Sequence, residues 1–383
     1  MTRVTGDWVK APATQAVFDV IEGAGHRAWF VGGCVRDALA WRPVKDIDIA
    51  TDATPEAVMA LAEAAGLKAV PTGIDHGTVT IVSGEIPHEV TTLRRDVETD
   101  GRRAVVAFAS EIAEDAARRD FTMNALYADR AGEVIDPTGE GVRDLQAGHI
   151  RFVGDAGTRI REDYLRILRY FRFLARFGSA GPEPDALAAI SDHLAGIDTL
   201  SAERLGHEMR RLLEAPDPAP AVATMAQVGV LMRVLPGADS APLAPLVHLE
   251  EALGVAPDWV RRLAALGGED AAERLRLSRT DAKRLEIIRG AALEGAAPKA
   301  AGYYLGEAAA LDALLLRGAF LGEPVAQTAL DAAKRGAAAE FPLKAADLMD
   351  RFQGPALGAA LKAREARWVA SGFTLDRAAL LKD

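Results

Sequence analysis

The first part of the chain alternates short apolar runs with turn residues. The runs in "AWFVGG", "DIDIAT", "TVTIV", "HEVTTL", "EVIDP" and "HIRFVG" are each bounded by Gly, Pro or Asp. This pattern is typical of β-strands that end in tight turns. Apolar residues at helical spacing predict helices at 14–24 and 55–65, the second with Thr54 as its N-cap and Pro55 in its first turn. A mixed α/β segment is therefore predicted.

From about residue 155 the strand pattern stops. Ala, Leu, Arg and Glu dominate at helical spacing, and Pro- and Gly-rich segments interrupt them at 178–185, 215–220, 235–246 and 352–358. The pattern predicts an α+β protein with a small mixed or antiparallel sheet at its start and helices afterwards. We divide it into a head at 1–152, a helical neck at 153–220, and a helical body and tail at 221–383.

Composition narrows the class of protein. A chain of 383 residues is too long for one ordinary domain, and 49% hydrophobic residues argue against disorder. No apolar run reaches the roughly 18 residues that span a bilayer, and the first residues do not resemble a secretion signal. The single cysteine, Cys34, excludes an intrachain disulfide and fits a reducing compartment. We expect a cytoplasmic protein without membrane contact, in which Cys34 is a small buried residue and not a nucleophile.

The net charge and the distribution of charge along the chain lead to different conclusions about nucleic-acid binding. The formal net charge of −10 argues against binding to nucleic acid. However, residues 158–178 contain six arginines and only two acidic residues, and residues 272–290 contain six further cations. An acidic protein with local basic segments can still bind RNA. For the second segment, contact with RNA is a hypothesis, and a solvated helix face is the simpler interpretation.

"KDIDIA" places two carboxylates on one face of a predicted strand. Residues two apart in a strand project to the same side, roughly 6–7 Å apart. Asp46 and Asp48 could therefore share divalent cations, which prefer oxygen ligands. Glu89, in the predicted strand "HEVTTL", is the candidate third carboxylate. The tripeptide alone also fits an edge strand with solvated acids.

Two glycines precede this acidic pair. Gly32 and Gly33 follow the apolar run "AWFV" and lead into "CVRDALA", which has helical character. A strand, a glycine turn and a helix start expose backbone N–H groups to an anion, and Arg36 lies one turn into the helix. The glycines alone also fit an ordinary turn. Together with the acidic pair, they predict a site for a nucleoside triphosphate and its metal ions.

"GGCVRD" followed by "DIDIAT" resembles the head of the DNA-polymerase-β-like nucleotidyltransferases, and specifically the class II tRNA CCA-adding enzymes and bacterial poly(A) polymerases. The resemblance implies that Asp46 and Asp48 are catalytic ligands of Mg²⁺, with two ions expected, and that Glu89 is the third ligand. "RRDFTMNAL" (118–126) resembles a second block of the family. It implies that the residues around the ribose and triphosphate are Arg118, Arg119, Asp120 and Asn124.

"REDYLRILRYFRF" (161–173) is predicted to be one helix, with Asp163, Arg166 and Arg169 along one side. Asp163 and Arg166 fit an intrahelical ion pair. They also fit recognition of a nucleotide base. An acceptor beside a donor can hydrogen-bond to the Watson–Crick edges of C and A, whereas it leaves unpaired groups against those of U and G. The resemblance implies this second role, and places Arg169 near the triphosphate. We expect Glu162 either to hold the helix end or to orient Arg166.

Two further stretches resemble family segments. "ETDGRRAVVAF" (98–108) resembles a flexible loop that the family associates with addition of the terminal A. "SAERLGHEMRRLL" (201–213) resembles a neck helix, in which we expect Ser201, Arg204 and Glu208 to cap and brace the structure.

The resemblance implies template-independent transfer of CMP and AMP from CTP and ATP to the 3′ end of tRNA, with release of pyrophosphate. Two alternatives stay open at this point. One is an A-only enzyme, such as a poly(A) polymerase. The other is a non-catalytic RNA-binding protein, which the adjacent like charges of Asp46 and Asp48 disfavour because nothing else would maintain them.

Overall fold

The structure is a computed structural model that describes residues 2–74, 77–99 and 104–382. The chain forms two compact units, one of Met1–Leu212 with Thr224–Val234, and one of Leu213–Ala223 with Leu235–Asp383. The three-part division of the chain at 152 and 220 stays a prediction. Among the helices of the described residues, none is both long and apolar enough to cross a membrane.

A seven-stranded mixed sheet forms the centre of the first unit. Its strands lie in the order β3-β4-β5-β2-β1-β8-β9, and β2 pairs with β5 in parallel while the other neighbours are antiparallel. A separate antiparallel pair is formed by β6 and β7. The strands are β1 (Ala28–Val31), β2 (Ile47–Thr51), β3 (Lys68–Gly73), β4 (Thr78–Ser83), β5 (Ile86–Thr92), β6 (Arg94–Thr99), β7 (Ala104–Phe108), β8 (Tyr127–Ala128) and β9 (Val134–Ile135).

The apolar residues that alternate along the strands are buried, as the sequence pattern predicted. Ile47 and Ile49 of β2 are buried, and so are Val79 and Ile81 of β4. Because successive side chains of a strand point to opposite faces, burial of the two isoleucines turns Asp48 to the other face of β2. The predicted mixed sheet at the start of the chain is thus confirmed, and it determines where Asp48 points.

The three helices that the sequence predicts in the first 152 residues are observed, and three further short helices of the described chain were not predicted. Thr54 caps the helix that begins at Pro55, and its hydroxyl oxygen accepts a hydrogen bond from the Ala57 amide at 3.3 Å. The predicted helix at 14–24 is observed two residues earlier. The helices are α1 (Asp7–Lys10), α2 (Pro12–Gly23), α3 (Gly33–Leu39), α4 (Pro55–Ala64), α5 (Ile112–Ala117) and α6 (Gly141–Ala147), with a 3₁₀ turn at Thr122–Asn124.

One strand prediction is wrong and, among the described residues, four strands were missed. "HIRFVG" forms no strand in the described chain, and contributes only an isolated bridge between Phe121 and Phe152. β6 and β7, which form the separate pair, were not predicted. In the main sheet the unpredicted strands are β3, which lies at one edge and has no buried residue, and the two-residue β8. Neither of these two has a clear apolar alternation, so both are held by their sheet neighbours.

Of the predicted flexible loop at 98–108, residues 98–99 and 104–108 belong to β6 and β7, and residues 100–103 lie outside the described residues. The role of this segment in adding the terminal A stays a prediction.

The remainder of the described chain is helical, as predicted. Its helices are α7 (Ala156–Glu162), α8 (Leu165–Phe177), α9 (Pro184–Asp192), α10 (Ala202–Leu213), α11 (Ala219–Gln227), α12 (Val230–Val234), α13 (Leu243–Ala252), α14 (Trp259–Leu266), α15 (Ala271–Arg274), α16 (Arg279–Glu294), α17 (Pro298–Leu305), α18 (Glu307–Leu321), α19 (Gln327–Ala337), α20 (Pro355–Ala370) and α21 (Arg377–Leu381). Two 3₁₀ segments, Leu194–Thr199 and Ala345–Asp347, lie between them.

The basic segment at 272–290 does not form a wholly solvated face. Arg284 on α16 pairs with Asp258 and Asp312 at 2.8 and 2.7 Å. Arg289 donates to the Ala264 carbonyl. The other cations of this segment are exposed: Arg274, Arg276, Arg279 and Lys283.

Candidate active site

A cleft of about 690 Å³ opens in the first unit. It lies beside the turn between β1 and α3, the loop before β2, the segment after α5, and one side of α8. Nine of the thirteen predicted site residues line it: Gly32, Gly33, Arg36, Asp46, Asp48, Arg119, Asp120, Asn124 and Arg169. The four that do not are Glu89, Arg118, Asp163 and Arg166.

Three carboxylates lie close together on the sheet. Asp48 and Glu89 are direct partners in the parallel pairing of β2 with β5, and Asp46 comes just before β2. Asp48 is half-buried, whereas Asp46 and Glu89 are exposed. The pKa of Asp48 is raised to about 6, first by burial and then by the negative charges of Glu89 and Asp46, against the opposing effect of Arg119 and Arg36.

The donor chemistry of this group fits Mg²⁺. Carboxylate oxygens are the ligands that this ion prefers, and a cation would relieve the repulsion that raises the pKa of Asp48. Within residues 2–74, 77–99 and 104–382, no three acidic, histidine or cysteine side chains are already arranged as a metal centre. The carboxylates are therefore neighbours that an ion could draw together, and not a preformed cage.

The predicted strand, glycine turn and helix are observed beside these carboxylates. Gly32 connects β1 to α3 with φ = 67°, which disfavours any residue with a Cβ atom. A Cβ atom at this position would also lie 3.1 Å from Arg119 Nη1. At Gly33, a Cβ atom would lie 3.7 Å from Asp48 Oδ2. Gly32 thus allows the backbone to pass close to a fixed cation, whereas a Cβ atom at Gly33 would make only ordinary contact with the Asp48 carboxylate.

A chain of hydrogen bonds connects α3 to α8 along the cleft. Arg36 Nη1 donates to Asn124 Oδ1 at 2.6 Å, and Asn124 Nδ2 donates to Asp120 Oδ1 at 2.9 Å. Arg169 Nε then donates to Asp120 Oδ2 at 2.6 Å. The guanidinium of Arg36 also lies 5.1 Å from the ring centre of Phe173. Two arginines far apart in the chain are thereby held at one cleft.

The hydrogen bonds of Asp120 bear on its expected role. Oδ1 accepts from Asn124 and from the Phe121 amide, and Oδ2 accepts from Arg169 Nε, with Arg169 Nη2 at 2.5 Å as an ion pair. A carboxylate offers about four acceptor sites, and these hydrogen bonds use three of them. Burial raises the pKa of Asp120, but the charge of Arg169 and the hydrogen bonds from Asn124, Arg169 and the Phe121 amide together bring it below its usual value. In this conformation Asp120 positions Arg169 and Asn124, and contact with a ribose stays a prediction.

Arg118 and Arg119 are both held by Asp115, which the sequence analysis missed. Arg118 Nε lies 2.9 Å from Asp115 Oδ1, and Arg119 Nη2 lies 2.9 Å from Asp115 Oδ2. Tyr127 also donates its hydroxyl to Asp115, at 2.6 Å. Although burial raises the pKa of Asp115, its two arginines hold that pKa well below its usual range. The spacing of three and four residues from Asp115 on a helix could have revealed this contact.

The predicted single helix at 161–173 is wrong. It is broken at Asp163, whose backbone is extended and whose Oδ1 accepts from the Leu165 amide at 3.0 Å. A short acidic side chain that bonds to a nearby amide competes with helical hydrogen bonding, and this explains the break. Asp163 and Arg166 therefore do not occupy one continuous helix face.

Asp163 and Arg166 are engaged with other groups. Asp163 Oδ2 accepts from Arg204 Nη2 at 2.7 Å. Arg166 Nη1 donates to Glu162 Oε2 at 2.6 Å, which confirms the expected pairing with Glu162. Arg166 Nη2 donates to the Arg118 carbonyl at 3.0 Å. The neck also has the expected bracing, since the Arg204 amide donates to Ser201 Oγ at 3.4 Å.

The cleft is also lined by cations that the sequence analysis did not assign to the site. They are Arg42, Lys45, Arg172, Arg176 and Arg211. Arg172 and Arg176 follow Arg169 at three and seven residues on α8, and this helical spacing was a readable signal. In total eight basic and four acidic side chains line the cleft. An excess of cations suits a triphosphate or a polynucleotide.

Arg172 is held by a buried acid. Its Nε lies 2.7 Å from Oε2 of Glu208 on α10, as a close ion pair that lacks hydrogen-bond geometry. Burial lowers the pKa of Arg172 to about 10, and Glu208 opposes this effect. Glu208 thus braces the cleft, in agreement with its expected role in the neck.

Cys34 agrees with its expected structural role. It is buried in α3, and burial raises the pKa of its thiol to about 12. The thiol is therefore protonated at neutral pH and inert as a nucleophile.

Two family models match the sequence. Residues 28–151 match the poly A polymerase head domain, and residues 182–241 match the probable RNA and SrmB-binding site of polymerase A. Among curated proteins, CCA tRNA nucleotidyltransferase 1, mitochondrial, of Danio rerio is 44% identical over 186 residues, which cover 48% of this chain and 43% of that protein. The CCA-adding enzyme of Geobacillus thermodenitrificans is 38% identical over 261 residues, covering 67% of this chain and 59% of that protein. The chain thus spans about half the length of these curated relatives.

A solved structure matches almost the whole chain. The crystal structure of the Bacillus stearothermophilus CCA-adding enzyme in complex with CTP has a TM-score of 0.75 and 31% identity. The match covers 94% of this chain and 93% of that one. This likeness confirms the resemblance found in the sequence. The chain belongs to the family of CCA-adding enzymes that carry the poly A polymerase head domain.

Proposed function

We propose that this protein adds CMP and AMP, taken from CTP and ATP, to the 3′ end of tRNA and releases pyrophosphate. The observation that carries the proposal is that Asp46 and Asp48 line the same cleft as a set of fixed arginines. Transfer of a nucleotide requires both a carboxylate site for metal ions and cations for the triphosphate. The similar structure solved with CTP supports the choice of substrate.

In the proposed reaction the 3′-hydroxyl of the RNA attacks the α-phosphate of the incoming nucleotide. The bond between the α- and β-phosphates breaks, and pyrophosphate leaves with the electron pair. Asp46 and Asp48 would hold Mg²⁺, with Glu89 beside them as the third ligand, and we propose two ions. Bound Mg²⁺ supplies charge stabilisation to the phosphates and lowers the pKa of a coordinated hydroxyl.

The arginines of the cleft would bind the triphosphate. A guanidinium carries five N–H groups, and Arg36 uses two of them in hydrogen bonds, from Nε to Asp37 Oδ1 at 2.9 Å and from Nη1 to Asn124 Oδ1. Its Nη2 also lies 2.8 Å from Asp37 Oδ1 as an ion pair. Asn124 and Asp120 hold Arg36 and Arg169 in place, so little side-chain entropy is lost when phosphate binds. The turn at Gly32 and Gly33 brings backbone amides to the same cleft.

We further propose that Asp163 and Arg166 select the base. Their acceptor and donor groups match the Watson–Crick edges of C and A. Both now bond to protein groups, Asp163 to Arg204 and Arg166 to Glu162. Base selection therefore requires these bonds to be exchanged for bonds to the nucleotide.

The decisive experiment uses tRNA that lacks its terminal trinucleotide, supplied first with CTP alone and then with ATP. We expect two C residues followed by one A. Incorporation of A alone would identify an A-only enzyme, and no incorporation with Mg²⁺ would indicate a non-catalytic RNA-binding protein. Asp46→Ala should abolish incorporation in a folded protein. Asp19→Ala, an exposed aspartate outside the cleft that pairs with Arg130, is the control and should remain active.

A second experiment addresses base selection. Asp163→Ala and Arg166→Ala should raise the incorporation of UTP and GTP relative to CTP and ATP. Asp198→Ala is the control, because this aspartate is exposed and pairs with Arg233 away from the cleft. Unchanged selectivity in both cleft variants would overturn the assignment.

A further inference from the structure

Trp41, in the loop after α3, is exposed in an unusual way. Its side chain is 91% exposed, and among the described residues it has no aromatic or cation–ring contact. Of the five tryptophans, all of which lie in the described part of the chain, only Trp41 is exposed. A large ring left in water gains nothing from packing. The ring is therefore available to a partner.

The backbone at Trp41 is also unfavourable. Its φ is 56°, in the left-handed region that favours glycine. The Arg42 amide bonds to the Asp37 carbonyl at 2.8 Å, and the Trp41 amide bonds to the Ala38 carbonyl at 3.1 Å. These two bonds form a Schellman cap, in which glycine is the usual residue at the position of Trp41. Glycine would complete the same cap without strain.

A second aromatic residue with a strained backbone, Phe373, shows by comparison what is unusual about Trp41. Phe373 has φ = 67°, but its ring packs against Trp368 and Tyr303, with ring centres 4.6 and 5.6 Å away. Packing offsets the strain at Phe373. At Trp41 no such contact offsets it, and strained residues without structural reason cluster at functional sites.

The position of Trp41 indicates what the ring would meet. The five residues that follow it, Arg42 to Asp46, all line the cleft. The guanidinium of Arg42 is held 4.2 Å from the ring centre of Phe177. Five residues of chain span at most about 18 Å, so the Cα atom of Trp41 lies within that distance of the Cα atom of Asp46. An exposed ring beside cations at a cleft is the arrangement that binds single-stranded nucleic acid.

We propose that Trp41 is a stacking platform for an unpaired base near the 3′ end of the RNA that enters the cleft. This inference rests on the proposed function and adds a positioning residue to it. RNA is favoured over the incoming nucleotide because the ring lies outside the cleft lining, whereas the triphosphate must reach Asp46 and Asp48 within it. A polyanion with exposed bases also matches the excess of cations along this loop and cleft.

The first test separates the affinity for RNA from that for nucleotide. Trp41→Leu keeps an apolar side chain but removes the ring, and Trp41→Phe keeps a ring. With tRNA that lacks its terminal trinucleotide, Trp41→Leu should raise the KM for tRNA about 10-fold, in line with the loss of one stacked base. The KM for CTP should stay within about two-fold. Trp41→Phe should lie close to the unsubstituted protein.

Trp41→Gly tests whether the residue is kept for binding and not for stability. Glycine relieves the strain at φ = 56°, so the melting temperature should rise while the KM for tRNA rises as in Trp41→Leu. A lower melting temperature would indicate that the ring stabilises the fold, and would overturn the inference.

Fluorescence gives a readout that does not depend on turnover. Acrylamide should quench the exposed Trp41 in the free protein, and this quenching should be lost in Trp41→Phe. Adding tRNA without its terminal trinucleotide should protect the ring, and adding a blunt RNA duplex should not. Protection with an unchanged KM in Trp41→Leu, or a change in the KM for CTP alone, would overturn the proposal. If the unsubstituted protein incorporates no nucleotide, the proposed function fails, while protection by single-stranded RNA would still support the platform.

Discussion

Asp48 lies on a strand whose neighbouring residues are buried, and its carboxyl is half-buried beside Glu89 and Asp46. Its pKa, about 6, is raised above the value in an unfolded chain. The ionised form is therefore disfavoured in the folded protein, and this lowers stability at pH values above about 6. The loss disappears as the pH falls towards the unfolded pKa near 4, where the carboxyl is protonated in both states.

Asp48→Asn should for this reason abolish nucleotide incorporation and yet stabilise the metal-free protein. We expect a gain of roughly 1–2 kcal/mol at pH 8, after allowing for the partial exposure of the group. The gain should shrink at pH 5. Urea denaturation in the presence of a chelator measures both values. Adding Mg²⁺ should stabilise the unsubstituted protein and not the variant, and an equal response in the two would argue against a metal site here.

Asp115 is the opposite case, because its pKa is lowered in the folded protein by Arg118 and Arg119. It contributes stability above its unfolded pKa near 4, and this contribution is lost as the pH falls below that value. Asp115→Asn leaves two arginines without their acid, and should lower the free energy of unfolding by about 3–5 kcal/mol at pH 7.

The same denaturation experiment at pH 3 should bring Asp115→Asn closer to the unsubstituted protein. Glu114→Gln is the control on the same helix, since Glu114 is exposed and lies 3.9 Å from Arg95. It should change stability by less than about 0.5 kcal/mol. A difference that does not depend on pH would show that the charge of Asp115 is not what matters.

At the scale of elements, the junction between α7 and α8 is the feature that orients Asp163 and Arg166. Tyr164 lies at this junction, and its ring packs so closely on Gly196 that a Cβ atom there would overlap it. The backbone of the Leu194–Thr199 segment therefore supports the break between the two helices.

Gly196→Ala should displace Tyr164 and disturb the junction. We expect a loss of about 1–3 kcal/mol, as for other overpacked sites, and a higher ratio of UTP to CTP incorporation. Gly290→Ala on α16 is the matched control, because nothing lies within 4 Å of a Cβ atom there. That change should leave selectivity unaltered and stabilise the helix by about 0.5–1 kcal/mol.

The strands and helices were predictable to different degrees. β1, β2, β4 and β5 have apolar alternation bounded by turn residues, and their positions could be predicted from the sequence alone. β3 could not, since it is an edge strand with little burial. "HIRFVG" has the right composition for a strand, but Phe152 instead packs its ring on Phe121 and Tyr170, 4.8 and 5.8 Å away. Tertiary packing decides such short apolar runs.

At the scale of the molecule, a buried ionic network holds the second unit. Arg261 and Arg262 both pair with Glu250, at 2.7 and 2.8 Å, and Arg261 also pairs with Asp312 at 2.8 Å. All four side chains are buried. Buried charges need their partners, so removing one acid affects the whole network.

Glu250→Gln should therefore destabilise the second unit by about 3–5 kcal/mol. CTP binding should persist under conditions where the variant is folded, because the cleft is built within the first unit. Denaturation and calorimetric CTP binding measure the two effects. Glu251→Gln, the exposed neighbour, should change neither. Loss of CTP binding in a folded Glu250→Gln variant would contradict the expectation.

The sequence by itself determines the features that depend only on residues close together in the chain. The period of two along β2 places Asp48 opposite the buried isoleucines, and a glycine is needed where φ is 67° at Gly32. These local constraints suffice for the acidic pair, the glycine turn and the clustering of arginines on α8. They also suffice for the division into a mixed sheet and a helical remainder.

The partners of each charge depend on folding of distant segments. Asp120 meets Arg169 across 49 residues, and Asp163 meets Arg204 across 41. No local period encodes such contacts, because they form only when separate elements pack together. The break at Asp163 and the exposed ring of Trp41 beside the cleft likewise emerge only in three dimensions. Short-range sequence patterns determine local geometry, whereas the pairing of charges depends on how the helices and strands pack together.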